Sequence, residues 1–412
     1  MRLLSNLLKR FVQVGTLTVV DHRGKRHVFA GAPGPVVTFH LHDPAVANKL
    51  FWNPDLGLGE AYMDGALTFE DCTLRDFLHL FNLNRRSLGT HPLQAVLQSI
   101  SRRVRKLQQY NPVGRARDHV AHHYDLSRQL YELFLDKDMQ YSCAYFASEG
   151  DSLETAQLNK KRHIAAKLCL EPGQRVLDIG CGWGGLALYL AQQADIEVVG
   201  VTLSTEQHKV AVERAKSLGL SDRVRFELRD YRELEGTFDR IVSVGMFEHV
   251  GAGHYEEFFT KINSLMDDAG VMLLHSIGRM SPPGITGPWL RKYIFPGGYS
   301  PALSEVFEVT QRQRLWVTDV EVLRLHYALT LREWQKRFQA NRQKAAALYD
   351  ERFCRMWEFY LTCAEMVFSH GSGMVFQMQL TRDRAAVPGT RGYMYQAPRA
   401  HSLAVLPESI AA

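Results

Sequence analysis

The sequence lacks long hydrophobic runs, cysteine pairs and a strong excess of one charge, and each shortage excludes a class of protein. No run of ~18 apolar residues occurs, which excludes a conventional membrane-spanning helix. The 412 residues include only six cysteines, and none of these form a C-x-x-C pair, so the sequence favours a reducing compartment over a disulfide framework. A net charge of +5 is too small to indicate nucleic-acid binding.

The N-terminus also lacks the features of an export signal. Its first residues, MRLLSNLLKRF, are interrupted by polar side chains and contain no small-residue cleavage site, so we expect a cytoplasmic protein. Its four leucines predict one short apolar helical stripe: Leu3, Leu4, Leu7 and Leu8. Hydrophobic residues make up 46% of the chain and charged residues 23%, so a large core can form, and the length suits roughly two to three domains.

The small positive excess is concentrated in one segment. Between Ser101 and Arg117 the basic residues have no acid among them: Arg102, Arg103, Arg105, Lys106, Arg115 and Arg117. One interpretation is a solvated linker face. The other is docking to anionic lipid headgroups, which contributes up to ~1 kcal/mol per basic residue near a charged leaflet. We therefore predict a small domain over 1–100, a basic linker over 101–118, a catalytic domain over 119–395 and a tail over 396–412.

The hydrophobic pattern changes between the two predicted domains. In the first, Val12–Val20 and Val36–His42 alternate like half-buried strands joined through GAPGP, and Asp43 with Pro44 resembles a helix start. In the second, helical stretches separate short β-rich runs, which predicts a parallel sheet with crossover helices. These runs are Arg175–Ile179, Glu197–Leu203, Val224–Leu228, Arg240–Val244, Val271–His275 and, last, Met374–Leu380.

Two helices are predicted after a Pro/Gly-rich insertion that follows His275. The first covers about Thr330–Asn341, where Thr330 and Glu333 have the spacing of a capping box. Its apolar residues share one face: Leu331, Trp334 and Phe338. The second covers about Ala346–Ser369.

The stretch RVLDIGCGWGG places Gly180, Gly182 and Gly185 in the spacing of a dinucleotide-binding turn. An NAD site would add an acidic residue at the tip of the second strand, but in GVTLSTEQ the strand end carries Thr202, Leu203 and Ser204 and no Asp or Glu. S-adenosylmethionine fits better. Asp178 precedes the turn and can meet the ligand's positive charge, while Asp230 and Tyr231, in LRDY at the end of the third strand, can bind and stack on adenine.

Two titratable side chains are predicted at the same edge of the sheet. Glu248 follows the strand DRIVSVG, and His275 lies at the end of the next strand. Because the carboxyl ends of parallel strands form the crevice where such sheets bind ligands, a functional role is favoured over a structural one.

The chain resembles the cyclopropane-fatty-acyl-phospholipid synthase family, which includes the mycolic acid cyclopropane synthases. Nine motifs occur in the family's order between about 120 and 380: HHYDLS, YSCAYF, VLDIGCGWGG, GVTLSTEQ, GMFEHVG, LLHSIG, IFPGG, HYALTLREW and LTCAEM. The resemblance implies an α/β fold, a seven-stranded class I methyltransferase domain of Rossmann-like type, with a smaller N-terminal α+β lipid-binding domain. It also implies transfer of a methylene group from S-adenosylmethionine to a cis double bond of a phospholipid acyl chain.

The resemblance also assigns the cofactor site. The implied residues are Tyr141, Ser142, Gly180, Gly182, Gly184, Thr202, Leu203, Ser204, Gln207, Asp230 and Tyr231, with Tyr124 as a lid residue. A purely structural alternative exists for Ser204 and Gln207, because S-x-x-Q is also a capping box for the following helix. Both roles are compatible.

A bound bicarbonate is the base that the family implies. The residues that hold it would be Cys143, Glu248, His275, Ile277 and Tyr327. Cys363 is sometimes treated as a catalytic cysteine of the family, but its position in an apolar helix also suits plain packing. Four aromatic residues of the insertion either cover a dry acyl pocket or form the core of the insertion: Trp289, Tyr293, Phe295 and Tyr299.

Several alternatives are weighed against cyclopropanation. A C-methyltransferase on the same lipids would reduce the cation or leave a methylated alkene, a non-catalytic lipid- or cofactor-binding module would need no base, and a small-molecule methyltransferase would need no N-terminal domain. A zinc site at His119, His122 and His123 is disfavoured because no thiolate or carboxylate accompanies them. The expected partners are phospholipid, the anionic inner face of the membrane, bound peripherally, and a second copy in a homodimer.

Overall fold

A computed structural model describes residues 1–88 and 126–395. The N-terminal segment contains four helices and four strands in this part of the chain: α1 (Arg2–Phe11), β1 (Val14–Val20), β2 (Arg26–Ala30), β3 (Ala32–Leu41), α2 (Val46–Trp52), α3 (Pro54–Met63), β4 (Leu67–Glu70) and α4 (Leu74–Leu88). Its sheet has the order β2-β1-β3-β4. The predicted linker 101–118 and tail 396–412 lie outside the described residues.

Four details of the N-terminal segment differ from the sequence-based expectations. GAPGP does not join two strands: most of it lies within β3, where the pairing with β1 shifts register near Val14. The strand β2 was not predicted. The helix α2 begins at Val46 and not at Pro44, because residues 43–46 form a turn in which the N–H of Val46 donates to the carbonyl oxygen of Asp43 and the N–H of Ala45 donates to Asp43 Oδ1. The leucine stripe buries Leu4, Leu7 and Leu8, but Leu3 is exposed.

The second part of the chain forms a seven-stranded sheet between helices. In chain order its elements are α5 (Arg128–Glu132), α6 (Leu153–Leu168), β5 (Arg175–Ile179), α7 (Gly185–Gln193), β6 (Glu197–Thr202), α8 (Thr205–Ser217), β7 (Val224–Leu228), β8 (Phe238–Val244), α9 (Tyr255–Leu265), β9 (Met266–Arg279), α10 (Pro288–Tyr293), α11 (Leu303–Arg312), β10 (Trp316–Val322), α12 (His326–Ala340), α13 (Arg342–Leu348), α14 (Glu351–Ser369) and β11 (Gly373–Thr381).

The strand order is β10-β11-β9-β8-β5-β6-β7. Strands β5 to β9 run parallel to one another, β11 pairs antiparallel with β9, and β10 pairs antiparallel with β11, so β11 runs opposite to the other six strands of this sheet. The α/β methyltransferase fold is therefore confirmed. The order reverses beside β5, and in open α/β sheets the crevice at such a reversal is where ligands bind.

Several details of the second part differ from the sequence-based expectations. The strand β10 and the helix α11 were not predicted. The helix predicted from Ala346 is interrupted at Asp350, whose side chain caps α14 by accepting from the N–H of Phe353. Thr330 caps nothing, because α12 begins at His326 and Thr330 Oγ1 donates to the carbonyl oxygen of His326. The shared apolar face of α12 is confirmed, since Trp334 is fully buried.

One cluster of buried residues joins the N-terminal elements to the helices of the second part. It runs from Leu4 in α1 and Phe39 in β3 to Trp334 in α12 and Trp357 in α14. At the contact, the rings of Tyr62 and Phe359 lie 6.0 Å apart. The N-terminal elements are thus packed directly against the wall of the site described next. None of the helices in the described part of the chain has the length and hydropathy needed to cross a bilayer.

Candidate active site

Two adjoining cavities lie along the ends of the parallel strands. The first has a volume of about 160 Å³ and borders the glycine-rich turn after β5. The second has a volume of about 400 Å³ and lies between the end of β8, β9, α10 and α14. Four residues line both cavities: Tyr141, Ser142, Gly245 and His249. A ligand in one cavity can therefore reach a ligand in the other.

The glycine-rich turn lines the first cavity and leads into the N-terminus of α7. Gly180 has a φ of +80°, and a Cβ there would lie 2.8 Å from the Cβ of Met246. Gly184 has a φ of +82° and packs against Phe226 behind the cavity, so it shapes the turn without lining the space. Gly180 and Gly182 do line it. The backbone can thus approach a ligand closely at the start of a helix.

Asp178 is a buried carboxylate that opens onto the first cavity. The residue is 2% exposed, and its Oδ2 has no hydrogen-bond partner among the described residues. Burial raises the pKa of Asp178 to about 7. A buried, unpaired carboxylate is costly unless a cationic group meets it. The site therefore fits a cofactor that carries an ammonium and a sulfonium.

The loop after β6 contributes both lining and capping residues. Thr202, Leu203 and Gln207 line the first cavity, whereas Ser204 does not. Ser204 Oγ instead accepts from the N–H of Gln207 at 3.3 Å and caps α8. The Gln207 side chain does not form the second hydrogen bond of a capping box, because its Oε1 accepts from Thr202 Oγ1 at 3.0 Å. Capping by Ser204 is confirmed, and it holds Gln207 beside the cavity.

Asp230 and Tyr231 line the far side of the first cavity, as the adenine prediction requires. Sequence reasoning missed the partner of Asp230, which forms two hydrogen bonds with Arg232, at 3.0 Å to Nε and 2.8 Å to Nη2. The i to i+2 spacing of opposite charges was the available signal. Tyr124 lies outside the described residues, as do the three histidines of the zinc alternative.

All six predicted catalytic residues line the second cavity. They come from the segment before α6, the turn after β8, the strand β9 and the helices α12 and α14: Cys143, Glu248, His275, Ile277, Tyr327 and Cys363. His275 is not at a strand end as expected, because β9 continues to Arg279. It nevertheless pairs with Val244, the last residue of β8, and so lies at the edge formed by the shorter strand.

Glu248 has one engaged and one unpaired oxygen. Its Oε1 accepts from the N–H of Ile277 at 2.5 Å, and its buried Oε2 has no partner among the described residues. Burial raises the pKa of Glu248 to about 7. The Ile277 N–H is thus committed to Glu248. The unpaired Oε2 can therefore accept a hydrogen bond from an anion that carries a hydroxyl group.

His275 is a neutral side chain in this environment, because burial lowers its pKa to about 3. Its Nδ1 lies 3.2 Å from Nε2 of Gln377, its register partner on β11. Gln377 was missed, although a buried glutamine inside the apolar strand MVFQMQL was a visible signal. Burial also raises the pKa of the Cys143 and Cys363 thiols, so both are neutral thiols near pH 7.

Aromatic side chains form much of the remaining wall. Trp289, Phe295 and Tyr299 line the second cavity, whereas Tyr293 turns away and donates its hydroxyl to Glu60 of α3. The N-terminal segment itself reaches this cavity through Asp55 of α3, a residue that sequence reasoning missed. Desolvation at this wall raises the pKa of Asp55, although part of the residue stays exposed.

The contact between α3 and α10 explains why this wall is closely packed. The indole Nε1 of Trp289 donates to Sδ of Met63 at 3.2 Å. A Cβ on Gly59 would lie 2.2 Å from the Trp289 ring, so only glycine leaves room for the ring there. The cavity is therefore built from both parts of the chain.

Comparisons with known proteins agree with this geometry. A family model described as mycolic acid cyclopropane synthetase matches residues 113–378. The chain is 39% identical to the cyclopropane-fatty-acyl-phospholipid synthase of Escherichia coli over 344 residues, 83% of this chain and 87% of the relative. It is 35% identical to a probable fatty acid methyltransferase of Pseudomonas putida over 382 residues, 88% of this chain and 93% of the relative.

A solved structure agrees as well. The mycolic acid cyclopropane synthase CmaA1, crystallised with SAH and CTAB, superposes with a TM-score of 0.62 at 35% identity, covering 66% of this chain and 99% of that one. Its fold is that of the second part of the chain. The sheet order, the glycine-rich turn and these matches together establish that the chain belongs to the mycolic acid cyclopropane synthetase family, enzymes with the S-adenosylmethionine-dependent methyltransferase fold.

Proposed function

We propose that this enzyme transfers a methylene group from S-adenosylmethionine to a cis double bond in an acyl chain of a membrane phospholipid, forming a cyclopropane ring. The observation that carries the proposal is the pair of adjoining cavities. One has the unpaired carboxylate of Asp178 beside a glycine-rich turn, and the other is mostly apolar and has the unpaired oxygen of Glu248. The name of the Escherichia coli relative supports the same substrate class.

The shared wall sets the geometry of methyl transfer. The sulfonium methyl group would face the second cavity between Ser142 and His249, where an acyl chain can approach it. The cofactor would supply the methyl group there: the alkene π electrons would form a bond to the methyl carbon as its bond to sulfur breaks, S-adenosylhomocysteine would leave, and the positive charge would pass to the acyl chain. Water would quench this cation, so Trp289 and Phe295 serve the reaction by excluding water.

Ring closure requires loss of a proton from the transferred methyl group. A bound bicarbonate would supply the base for this proton. Glu248, as an ionised carboxylate, only accepts hydrogen bonds, so its Oε2 suits the hydroxyl of that anion and can take up a proton there. Neutral His275 can donate from Nε2 when its Nδ1 accepts from Gln377, and Tyr327 and the backbone at Cys143 complete the set of residues that would hold the anion.

The product distinguishes ring formation from its main alternative. Expressed in a host that lacks the activity, the protein should convert unsaturated fatty acids to products that gain one CH₂ and lose the alkene, as recorded by fatty-acid mass spectrometry. A gain of CH₂ plus two hydrogens would instead indicate a C-methyltransferase, for which the Pseudomonas putida relative's name is the supporting observation. No change in any fatty acid, with the protein folded, would contradict both.

We also propose peripheral binding to the inner face of the membrane. The basic segment between Arg102 and Arg117 lies outside the described residues, and its charge is the basis of this prediction. Binding to liposomes should increase with the anionic lipid fraction and decrease with salt, because the screening length falls from about 10 Å at 0.1 M to about 3 Å at 1 M. Sedimentation at two salt concentrations measures this. Replacing the six basic residues with glutamine should abolish the salt dependence, and salt-independent binding by the unchanged protein would contradict the prediction.

A further inference from the structure

A buried lysine lies directly behind the wall shared by the two cavities. Lys160 of α6 is fully buried, and its Nζ lies 2.7 Å from Ser142 Oγ and 2.8 Å from Gln140 Oε1. Ser142 lines both cavities, and Gln140 lines the first. Lys160 itself lines neither. It was not among the residues predicted from the sequence, and the proposed chemistry does not use it.

The ammonium group determines which way its partners point. Protonated Lys160 can only donate, so Ser142 Oγ and Gln140 Oε1 must both accept from it. The Gln140 amide nitrogen then donates to Asp138 Oδ2 at 3.0 Å. The Ser142 hydroxyl hydrogen must point away from Lys160, and within the described residues it has no acceptor. Ser142 is thereby fixed as a donor toward whatever ligand lies in the cavities.

Other side chains of α6 hold the same segment in place. Gln157 Nε2, one turn before Lys160, donates to the carbonyl oxygens of Gln140 and Ser142 at 3.2 and 3.0 Å. Lys161 Nζ lies 2.5 Å from Asp138 Oδ2. Gln157, Lys160 and Lys161 follow the spacing of one helical face. This face of α6 holds the segment 138–142 in place. Of its side chains, Lys160 is the one that forms a hydrogen bond with a hydroxyl group lining the cavities, that of Ser142.

We propose that Lys160 is a positioning residue in the binding of S-adenosylmethionine. It orients the Ser142 hydroxyl so that this hydroxyl donates a hydrogen bond to the carboxylate of the cofactor. This inference rests on the proposed function. The amino acid end of the cofactor carries an ammonium and a carboxylate, and Asp178 provides a counter-charge for the first. Lys160 provides a positive charge for the carboxylate, in a buried setting where a hydrogen bond is electrostatically stronger than in water.

The charge on Lys160 depends on its surroundings. The groups that act on it are Asp136 and Asp138 from the loop after α5, Cys143, Asp178 and His275 beside the cavities, and Lys161 on its own helix. Burial lowers the pKa of Lys160 to about 8, so it is mainly protonated at pH 7 and loses its proton above pH 8. A neutral amine can accept a hydrogen bond, and the Ser142 hydrogen can then turn toward Lys160 and away from the ligand.

Binding of two ligands tests the proposal. S-adenosylhomocysteine carries the carboxylate, and its decarboxylated analogue lacks it but keeps the ammonium. By calorimetry, Lys160→Met should weaken S-adenosylhomocysteine about tenfold, as expected for loss of an oriented hydrogen bond to a charged group, and should change binding of the analogue by less than about twofold. Lys160→Arg, which keeps the charge and the donors, should restore part of the loss.

A double variant tests whether the effect passes through Ser142. In a Ser142→Ala background, Lys160→Met should add less than about twofold, because coupled residues are not additive. Above pH 8, the affinity of the unchanged protein for S-adenosylhomocysteine should fall more than that of Lys160→Met. Deprotonation of the ligand itself affects both proteins equally, so the difference between them reports on Lys160. This pH comparison stands even if the double variant is unstable.

Three results would overturn the inference: equal weakening of both ligands by Lys160→Met, additive effects in the Ser142→Ala background, or an equal loss in Lys161→Met. Lys161→Met is the matched control, because it removes a neighbouring lysine whose partner Asp138 keeps its contact with Arg214. Failure of the unchanged protein to bind S-adenosylhomocysteine at all would instead contradict the proposed function.

Discussion

Glu248→Gln should lower kcat by roughly 10³-fold, about 4 kcal/mol of barrier, while leaving affinity for S-adenosylhomocysteine unchanged. The substitution keeps the size of the side chain, and an amide oxygen can still accept from the N–H of Ile277. What it removes is a carboxylate at Oε2, the atom that can take up a proton beside the acyl cavity. Steady-state rates on unsaturated phospholipid vesicles, together with calorimetry, measure the two quantities separately.

The pH profile gives an independent check on Glu248. Because burial raises its pKa to about 7, Glu248 is protonated below pH 7 and ionised above it. The ionised form is the one that accepts, so kcat should rise with pH through about 7 at a fixed bicarbonate concentration. Glu256→Gln, an exposed glutamate on α9, is the control and should keep both rate and profile. Full activity in Glu248→Gln, or a profile unchanged by that substitution, would refute the assignment.

The sheet was predictable because its central strands carry their signal locally. The run Arg175–Ile179 coincides with β5, and Glu197–Leu203 covers β6 and one further residue, since buried parallel strands are apolar and bounded by turns. The edge strand β10 was missed because its charged residues pair with residues that are distant in the sequence. Glu321 meets Lys167 and His163 of α6, more than 150 positions earlier in the chain, and this compensation is invisible in the sequence.

Thr330 shows how a local pattern can mislead. The spacing Thr330 and Glu333 is that of a capping box, but a capping box only forms where the chain enters a helix. Here the helix has already begun at His326, and the Thr330 hydroxyl accepts from the N–H of Ala144, beside the active site. Thr330 thus forms a tertiary hydrogen bond, which the local sequence pattern cannot predict.

The candidate site was predictable where its residues lie in short motifs next to strand ends. Cys143, Glu248, His275, Ile277 and Tyr327 come from four separate motifs and line one cavity. The resemblance identified these residues. The strand pattern explains why Glu248 lies near His275 and Ile277, whereas the packing of the segment before α6 and of α12 brings Cys143 and Tyr327 to the same cavity.

The supporting residues were missed because their motifs look ordinary. Lys160 lies in a polar helix and Asp55 at the start of another helix, where charged side chains usually face solvent. Only the packing of α6 and α3 against the cavities shows that Lys160 is fully buried and that Asp55 reaches the second cavity.

Asp178→Asn should weaken binding of S-adenosylhomocysteine roughly 100-fold, about 2.7 kcal/mol, because an amide cannot offset the ligand's ammonium. The pKa of Asp178, raised to about 7 by burial, sets the sign of the pH dependence. The ionised carboxylate binds the cation, so affinity should increase as pH rises through about 7, and this increase should disappear in the variant. Asp195→Asn, an exposed control, should change neither quantity.

The decarboxylated analogue separates Asp178 from Lys160. Asp178 acts on the ammonium, which both ligands carry, so Asp178→Asn should weaken both by similar factors. Lys160 acts on the carboxylate, so its replacement should weaken only the ligand that has one. If Asp178→Asn left the analogue unaffected, the buried carboxylate would not face the ammonium, and the orientation of the cofactor's amino acid end would have to be reversed.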